Sequence, residues 1–259
     1  IEGGVGVNEG RARARNRGWR AARGRWILFL DDDIVLRPGS LLAHAEAQRA
    51  REGVHLGVVV TAAEIVDSPL FDYLDTRGVA KRPPGSRVPA RYLLTQNVSV
   101  PRAALVEVDG FDESFGAYGF EDMELGVRLE DRCGLEFRSL PGAVGDHVHH
   151  HTLVEYLEKK VLCGRETLPR LAELHPGRMT EMRLDLLPGL TAGAGARARA
   201  LGLVLRVSWA LGGAGAVSWG VSAWGRHLPR RLRHRLYDYL VLSAYARGLR
   251  QRKYVTPTE

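Results

Sequence analysis

Three groups of side chains in this 259-residue chain combine residue types and spacings suited to chemistry. The first is Asp31-Asp32-Asp33, directly after the apolar run Trp26-Ile-Leu-Phe-Leu30. Three adjacent carboxylates repel one another, and solvent or a cation must relieve them. In open α/β sheets, ligands gather outside the carboxyl ends of strands, which is where this triplet stands. In an extended segment Asp31 and Asp33 share a side, suited to a hard divalent cation and a ribose hydroxyl. A solvated turn capping the next helix is the alternative, although Pro38-Gly39-Ser40 already offers a helix start.

The second group is Gly110-Phe-Asp-Glu113 followed by Gly119-Phe-Glu-Asp-Met-Glu124. Acids in a first helical turn stabilise the macrodipole without any chemistry. The glycine and aromatic residues of Gly116-Ala-Tyr-Gly-Phe120, however, would present that helix start to a pocket, where a carboxylate can accept a proton from a hydroxyl. The third group is Asp146-His-Val-His-His-His151, in which His147, His149 and His151 share a face if extended. Imidazole suits Mn²⁺ or Zn²⁺, and a polar strand end is the plain alternative.

The elements that must position these groups follow from periodicity. Asn8 to Arg25 reads as a helix closed by Gly24, and Trp26–Leu30 as a strand buried on both faces, as in a parallel sheet. Leu41–Arg51 is a second helix and Leu56–Val60 a second buried strand, the alternation of an α/β fold. Asp67 to Ala90, with four prolines, is a long excursion. A helix is predicted over Glu121–Arg132, a strand over Leu135–Leu140 and helical structure over Thr152–Leu174.

Composition removes several classes. At 45% hydrophobic and 26% charged, the chain is neither disordered nor collagen-like. Two cysteines build neither a disulfide framework nor a Cys-based zinc cluster, and they fit a reducing compartment. The net charge of +7 is uneven: residues from 186 onward hold 12 Lys and Arg against 2 Asp and Glu, the rest 25 against 28. Leu201–Gly225 carries one charge and three tryptophans. That is about long enough for a ~20-residue membrane span. Its five glycines after Leu211 and the basic run Arg226–Arg235 favour interfacial helices on an anionic membrane instead. A packed helical subdomain is the alternative. No nucleic-acid-binding motif accompanies the charge, so nucleic acid is not an expected partner.

The order of the motifs is more specific than any one of them. Ala14-Arg-Asn-Arg-Gly18 and Trp26–Asp33 resemble the "ARNxG…FLDxD" segment of family 2 glycosyltransferases. Gln96-Asn-Val-Ser99, Gly110–Glu113 and Gly119–Arg128 resemble the acceptor-side block shared with the C-terminal half of galactosyltransferase-type domains, and Pro141-Gly-Ala-Val with His147 and His149 its closing element. The resemblance implies a GT-A (Rossmann-like) α/β fold, a mixed sheet flanked by helices. It would occupy residues 1–187 and lack its first nucleotide-binding strands, as in a chain beginning within a longer protein. A basic, Trp-containing helical region over 188–259 follows.

Residue by residue, the resemblance implies Asp33 as direct ligand of Mn²⁺ or Mg²⁺ and Asp31 nearer the sugar or ribose. His147, with His149 second, would complete the metal or diphosphate site. Arg15 and Asn16 would lie near the nucleotide, Asp122 would be the general base, and Glu121 would contact the acceptor. The implied activity is inverting, metal-dependent transfer from a nucleotide-sugar, a UDP-sugar foremost, to a glycan or lipid-linked acceptor in cell-surface glycan or polysaccharide synthesis. The expected location is cytoplasmic, at the inner face of the plasma membrane. A non-catalytic cation- or carbohydrate-binding module and a metal-dependent phosphoesterase are the rival readings of the same acids and imidazoles.

Overall fold

A computed structural model describes residues 9–63, 65, 68–79, 81–149, 152–182, 184–185, 187, 190 and 196–252. His150 and His151 of the imidazole run, and Pro188 at the expected start of the tail, lie outside the described residues. In chain order the elements are α1 (Arg11–Ala21), β1 (Trp26–Leu30), β2 (Ile34–Leu36), α2 (Ser40–Ala50), β3 (Val54–Thr61), α3 (Pro69–Leu74), β4 (Asn97–Pro101), α4 (Arg102–Glu107), α5 (Glu121–Cys133) and β5 (Phe137–His147). Five further helices follow: α6 (Leu153–Arg165), α7 (Thr167–Leu174), α8 (Ala196–Ala210), α9 (Gly213–Trp224) and α10 (Arg230–Arg252). Packing divides the chain into two units. One is Ile1–Asp67 with Leu74–Gly116 and Glu121–His150; the other is Ser68–Tyr73 with Ala117–Phe120 and His151–Glu259. The change of composition near Leu187 falls inside the second unit.

The first unit is a five-stranded sheet in the order β1-β4-β3-β5-β2, flanked by helices. It is the expected α/β mixed sheet, with a correction to its first strand. Trp26–Leu30 is not a parallel strand buried on both faces. It pairs antiparallel with β4 and its burial alternates, with Ile27 and Phe29 facing the core. Only β3 and β5 run parallel. β2 pairs antiparallel with the end of β5, Ile34 opposite His147, and this pairing brings the aspartate turn to the imidazole run. Between α5 and the sheet, Leu125, Leu129, Val98, Val100, Leu105 and Phe137 are buried in one cluster.

A polar network is buried beneath this sheet. Asn97 Nδ2 donates to the carbonyls of Val58 and Ala143 at 3.2 and 3.0 Å, so its Oδ1 is the acceptor facing His44 Nε2 at 2.9 Å. His44 therefore carries its proton on Nε2, and Nδ1 accepts from Ser99 Oγ at 3.0 Å. Gln48 Nε2 then donates to Ser99 Oγ at 3.0 Å. Every donor has an acceptor, as burial demands. Burial pushes the His44 pKa down and keeps the ring neutral. Asn97 fits only because residue 57 is glycine: a Cβ there would stand 2.6 Å from Asn97 Cγ.

The second unit is helical. Thr152 and Glu155 form a reciprocal capping box that starts α6: Thr152 Oγ1 accepts from the Glu155 amide at 3.2 Å, and Glu155 Oε2 from the Thr152 amide at 2.9 Å. The helical stretch expected over Thr152–Leu174 is two helices, α6 and α7, meeting at Glu166. α10 packs along α6 and also meets α9. Its first turns hold Asp72 of α3 through Arg230, Arg233 and His234, with Arg230 Nε at 3.0 Å and His234 Nε2 at 3.1 Å. Two guanidinium groups and an imidazole donating to one carboxylate hold the Asp72 pKa well below the usual range, the Arg230 hydrogen bond foremost. Leu201–Gly225 divides at Leu211-Gly212 into α8 and α9, with Leu203, Val204, Val207, Leu211, Trp219 and Trp224 exposed. Among the described residues no single helix is long and apolar enough to cross a membrane, and α8 and α9 are bent by 77°.

Candidate active site

The described acids and imidazoles of the three sequence groups lie in the first unit. Asp31 to Asp33 form the turn between β1 and β2, where the Ile34 amide donates to the Asp31 carbonyl at 3.2 Å. The two outer carboxylates do not share one partner. Asp31 Oδ1 accepts from Arg15 of α1 at 3.0 Å, whereas Asp33 Oδ2 lies 3.2 Å from His147 Nε2. The turn is held shut from the other side, because the Val148 amide donates to the Asp33 carbonyl at 2.9 Å.

Arg15 also reaches Glu121 Oε1 at 2.6 Å, so one guanidinium spans the aspartate turn and the start of α5. Burial opposes its charge, but the fields of Glu121, Asp122 and Asp31 outweigh that and raise its pKa. Glu121 is only 2% exposed, and its Oε2 is buried without a hydrogen-bond partner. The chain enters α5 sharply: Gly119 and Phe120 have φ of 95° and 69°, the latter rare outside glycine.

Asp122 is the perturbed acid of the site. Burial, then the neighbouring charge of Glu121, pushes its pKa up to about 7, against the pull of Arg15 and the Met123 amide. One arginine for three acids leaves Asp122 under-compensated. A carboxyl group titrating near neutrality is poised to accept a proton at working pH.

Asn16 requires a correction. It is 1% exposed, and all its hydrogen-bonding positions are used inside the protein. Nδ2 donates to the Phe111 carbonyl and to Glu113 Oε1, each at 2.9 Å, and Oδ1 accepts from the Trp19 indole and the Phe111 amide. It fastens the Gly110–Glu113 loop to α1 and has no group left to offer a nucleotide. Gly110 is what this fastening requires: its φ is 64° and a Cβ would lie 2.5 Å from Asn16 Oδ1. Asn97 and Ser99, read as part of an acceptor-side motif, are likewise spent in the network under the sheet.

The three expected metal ligands do not all converge. Asp33 and His147 meet, whereas the His149 ring is 6.0 Å from that of His147 and the residue is exposed. Among the described residues no set of three acids, imidazoles or thiols stands close enough to hold a metal. Asp33 Oδ1, however, is buried and, among the described residues, without a hydrogen-bond partner. An orphaned carboxylate oxygen beside an imidazole fits two positions in the coordination of a divalent cation.

Two residues of the Gly119–Arg128 block had no role assigned from the sequence. Glu124 and Arg128 form a buried bidentate pair on α5, Nε to Oε1 at 2.7 Å, and Arg128 also donates to the Val108 carbonyl at 2.6 Å. This ties α5 to the end of α4 and orients the turn that carries Glu121 and Asp122. Their i, i+4 spacing was the available signal.

Residues 6–101 match the family described as Glycosyl transferase family 2, and residues 77–153 the family described as N-terminal domain of galactosyltransferase. An uncharacterized glycosyltransferase, YfnE, of Bacillus subtilis is 42% identical over 66 residues, 26% of this chain and 17% of that protein. The pre-mycofactocin glycosyltransferase of Mycobacterium tuberculosis is 29% identical over 185 residues, 66% of this chain and 37% of that protein. The chain thus spans well under half the length of these relatives. More distant likeness is found to Staphylococcus aureus TarS 1–349 (14% identity, TM-score 0.44, covering 97% of this chain and 74% of that one) and to GalNAc-T7 with UDP, GalNAc and Mn²⁺ (13%, 0.43, 70% and 45%). The family 2 match thus covers the aspartate turn and the galactosyltransferase match the α5 acids, so the chain is similar to these two glycosyltransferase families over the part that carries the site.

Proposed function

We propose that the chain transfers a sugar from a nucleotide-diphosphate donor, a UDP-sugar foremost, to an acceptor hydroxyl with inversion. The observation that supports this most is Arg15, which joins the aspartate turn to Glu121, next to Asp122, the α5 acid pushed up to about pKa 7. Acids shifted toward neutrality in this way cluster at catalytic sites.

In this reading Asp31 and Arg15 face the donor and Glu121 Oε2 the acceptor sugar. Asp122 takes the proton of the acceptor hydroxyl as that oxygen bonds to the anomeric carbon. The carbon's bond to the diphosphate oxygen breaks, and its electrons leave with the diphosphate. One displacement from the opposite face inverts the configuration. Asp33 and His147 would hold a divalent ion, Mn²⁺ or Mg²⁺, together with diphosphate oxygens, and that ion supplies neutralisation of the leaving group's charge; His149 stands outside this pair.

The test is turnover of UDP-sugars by the protein, read as nucleoside diphosphate release and product NMR. Divalent-dependent release with an inverted product is expected, and Asp33→Ala should abolish metal-dependent nucleotide binding in calorimetry. A retained configuration, or binding unchanged in Asp33→Ala, overturns the reading.

The exposed apolar residues of α8 and α9, with the basic residues of α10, support attachment of the second unit to an anionic membrane face, as befits a glycan or lipid-linked acceptor. Such attachment is screened by salt, so high salt or carbonate should release the protein. Release by detergent alone would indicate a span, and full solubility a packed subdomain.

A further inference from the structure

The helices of the second unit line an open-sided cavity of about 410 Å³ that contains none of the acids or imidazoles assigned to glycosyl transfer, all of which lie in the first unit. Ligand sites run from about 300 to 1,000 Å³. α6 contributes Val154, Leu157 and Val161, and the start of α9 contributes Ala214 and Gly215. α10 lays one stripe along it: Leu240, Ser243 and Ala244, then Arg247 and Arg250. Apolar wall therefore passes into positive charge along a single helix face.

Two features mark this as a site rather than a packing gap. Ser243 and Trp209 line the cavity, Ser243 is only 5% exposed, and among the described residues neither its hydroxyl nor the buried indole N–H of Trp209 has a hydrogen-bond partner. A gap left by imperfect packing is lined by apolar groups, whereas buried donors demand an acceptor. At the other end of the stripe, Arg250 stacks on the Trp209 ring at 4.3 Å, and among the described residues neither Arg247 nor Arg250 pairs with a carboxylate, Glu158 being the one acid in the wall.

We infer that this cavity binds one chain of an anionic lipid, with the acidic headgroup at Arg247 and Arg250 and ester or phosphate oxygens accepting from Ser243 and Trp209. The apolar volume takes the chain, and the two arginines select an anion over a zwitterion. Membrane contact through α8 and α9 is diffuse, whereas this site is stoichiometric and holds a single lipid molecule.

The probes are lysophosphatidylglycerol, lysophosphatidylcholine of equal chain length and inorganic phosphate, each below micelle-forming concentration, titrated by tryptophan fluorescence. The anionic lysolipid should bind with unit stoichiometry, about tenfold more tightly than the zwitterionic one. R247Q/R250Q should remove that preference. Gly215→Leu places its side chain in the cavity, where a Cβ meets nothing within 4 Å, so the fold is kept. It should weaken both lysolipids at least tenfold while the circular dichroism spectrum stays unchanged. Equal affinity of wild type for the two lysolipids, wild-type affinity in Gly215→Leu, or inorganic phosphate binding as tightly as the anionic lysolipid would each overturn the site.

Discussion

Two acidic centres in this molecule have opposite charge ratios. Asp72, in the second unit, is met by Arg230, Arg233 and His234, and its proton is lost far below neutrality. Asp31, Glu121 and Asp122, in the first, share the single guanidinium of Arg15, and Asp122 holds its proton to about pH 7. Surplus cation makes a carboxylate a permanent fastener. Surplus acid makes one of the carboxylates a titrating group. The number of opposing charges, more than the acids themselves, separates a clamp from a reactive centre.

The largest expected effect tests the reactive centre. Asp122→Asn keeps the shape and removes the basicity, so kcat should fall about 10²–10⁴-fold with donor affinity near that of wild type. Full activity would move the base to Glu121 or reduce both acids to helix-start charges. Next, Arg15→Gln removes the one cation. The acid limb of the kcat/KM profile, expected near pH 7 in wild type, should then rise by about one pH unit or more. An unmoved limb would show that Arg15 does not set the titration.

Asp72→Asn tests the clamp. It should cost about 1–2 kcal/mol by thermal unfolding, a modest figure because Arg230 is 57% exposed, and leave transfer untouched. Lost transfer at full stability would refute the contrast. The smallest effect is a difference in sign. Asp72, with its folded pKa depressed, stabilises above its unfolded pKa near 4, and that stability is lost as pH falls. Asp122, with its folded pKa raised, holds a proton between about pH 4 and 7 that the unfolded chain has released, so its contribution falls as pH rises through that window. Relative to wild type, Asp122→Asn should therefore gain stability from pH 4 to pH 8, whereas the deficit of Asp72→Asn, full at pH 6, should shrink as pH falls below about 4, both read by denaturant unfolding. Parallel curves would erase the distinction.

What the sequence revealed was local. The apolar run of β1, the acids behind it and the amphipathic α5 are each written in contiguous residues. β4 was harder: Asn97, Val98, Ser99 and Val100 alternate like a strand with one wet face, yet all four are buried. The polar face is dry because His44 and Gln48, more than 50 positions away, supply its hydrogen bonds. The meeting of Arg15 with Glu121 spans 106 positions, and no local pattern encodes it. The break at Glu166 was likewise invisible, since Thr167 is a buried first residue of α7 rather than a surface turn.

The Asn97 amide, wedged between the Val58 and Ala143 carbonyls where residue 57 has no Cβ, has a consequence for how this sheet can change over time. Neither position can drift alone. A larger residue at 57 strikes the amide, and a shorter one at 97 strands two carbonyls and the His44 N–H. Single-step substitutions at either site are dead ends, and only a paired exchange leads to another viable core. Residues 57 and 97, forty positions apart, should therefore behave in a mutational library as one inherited character.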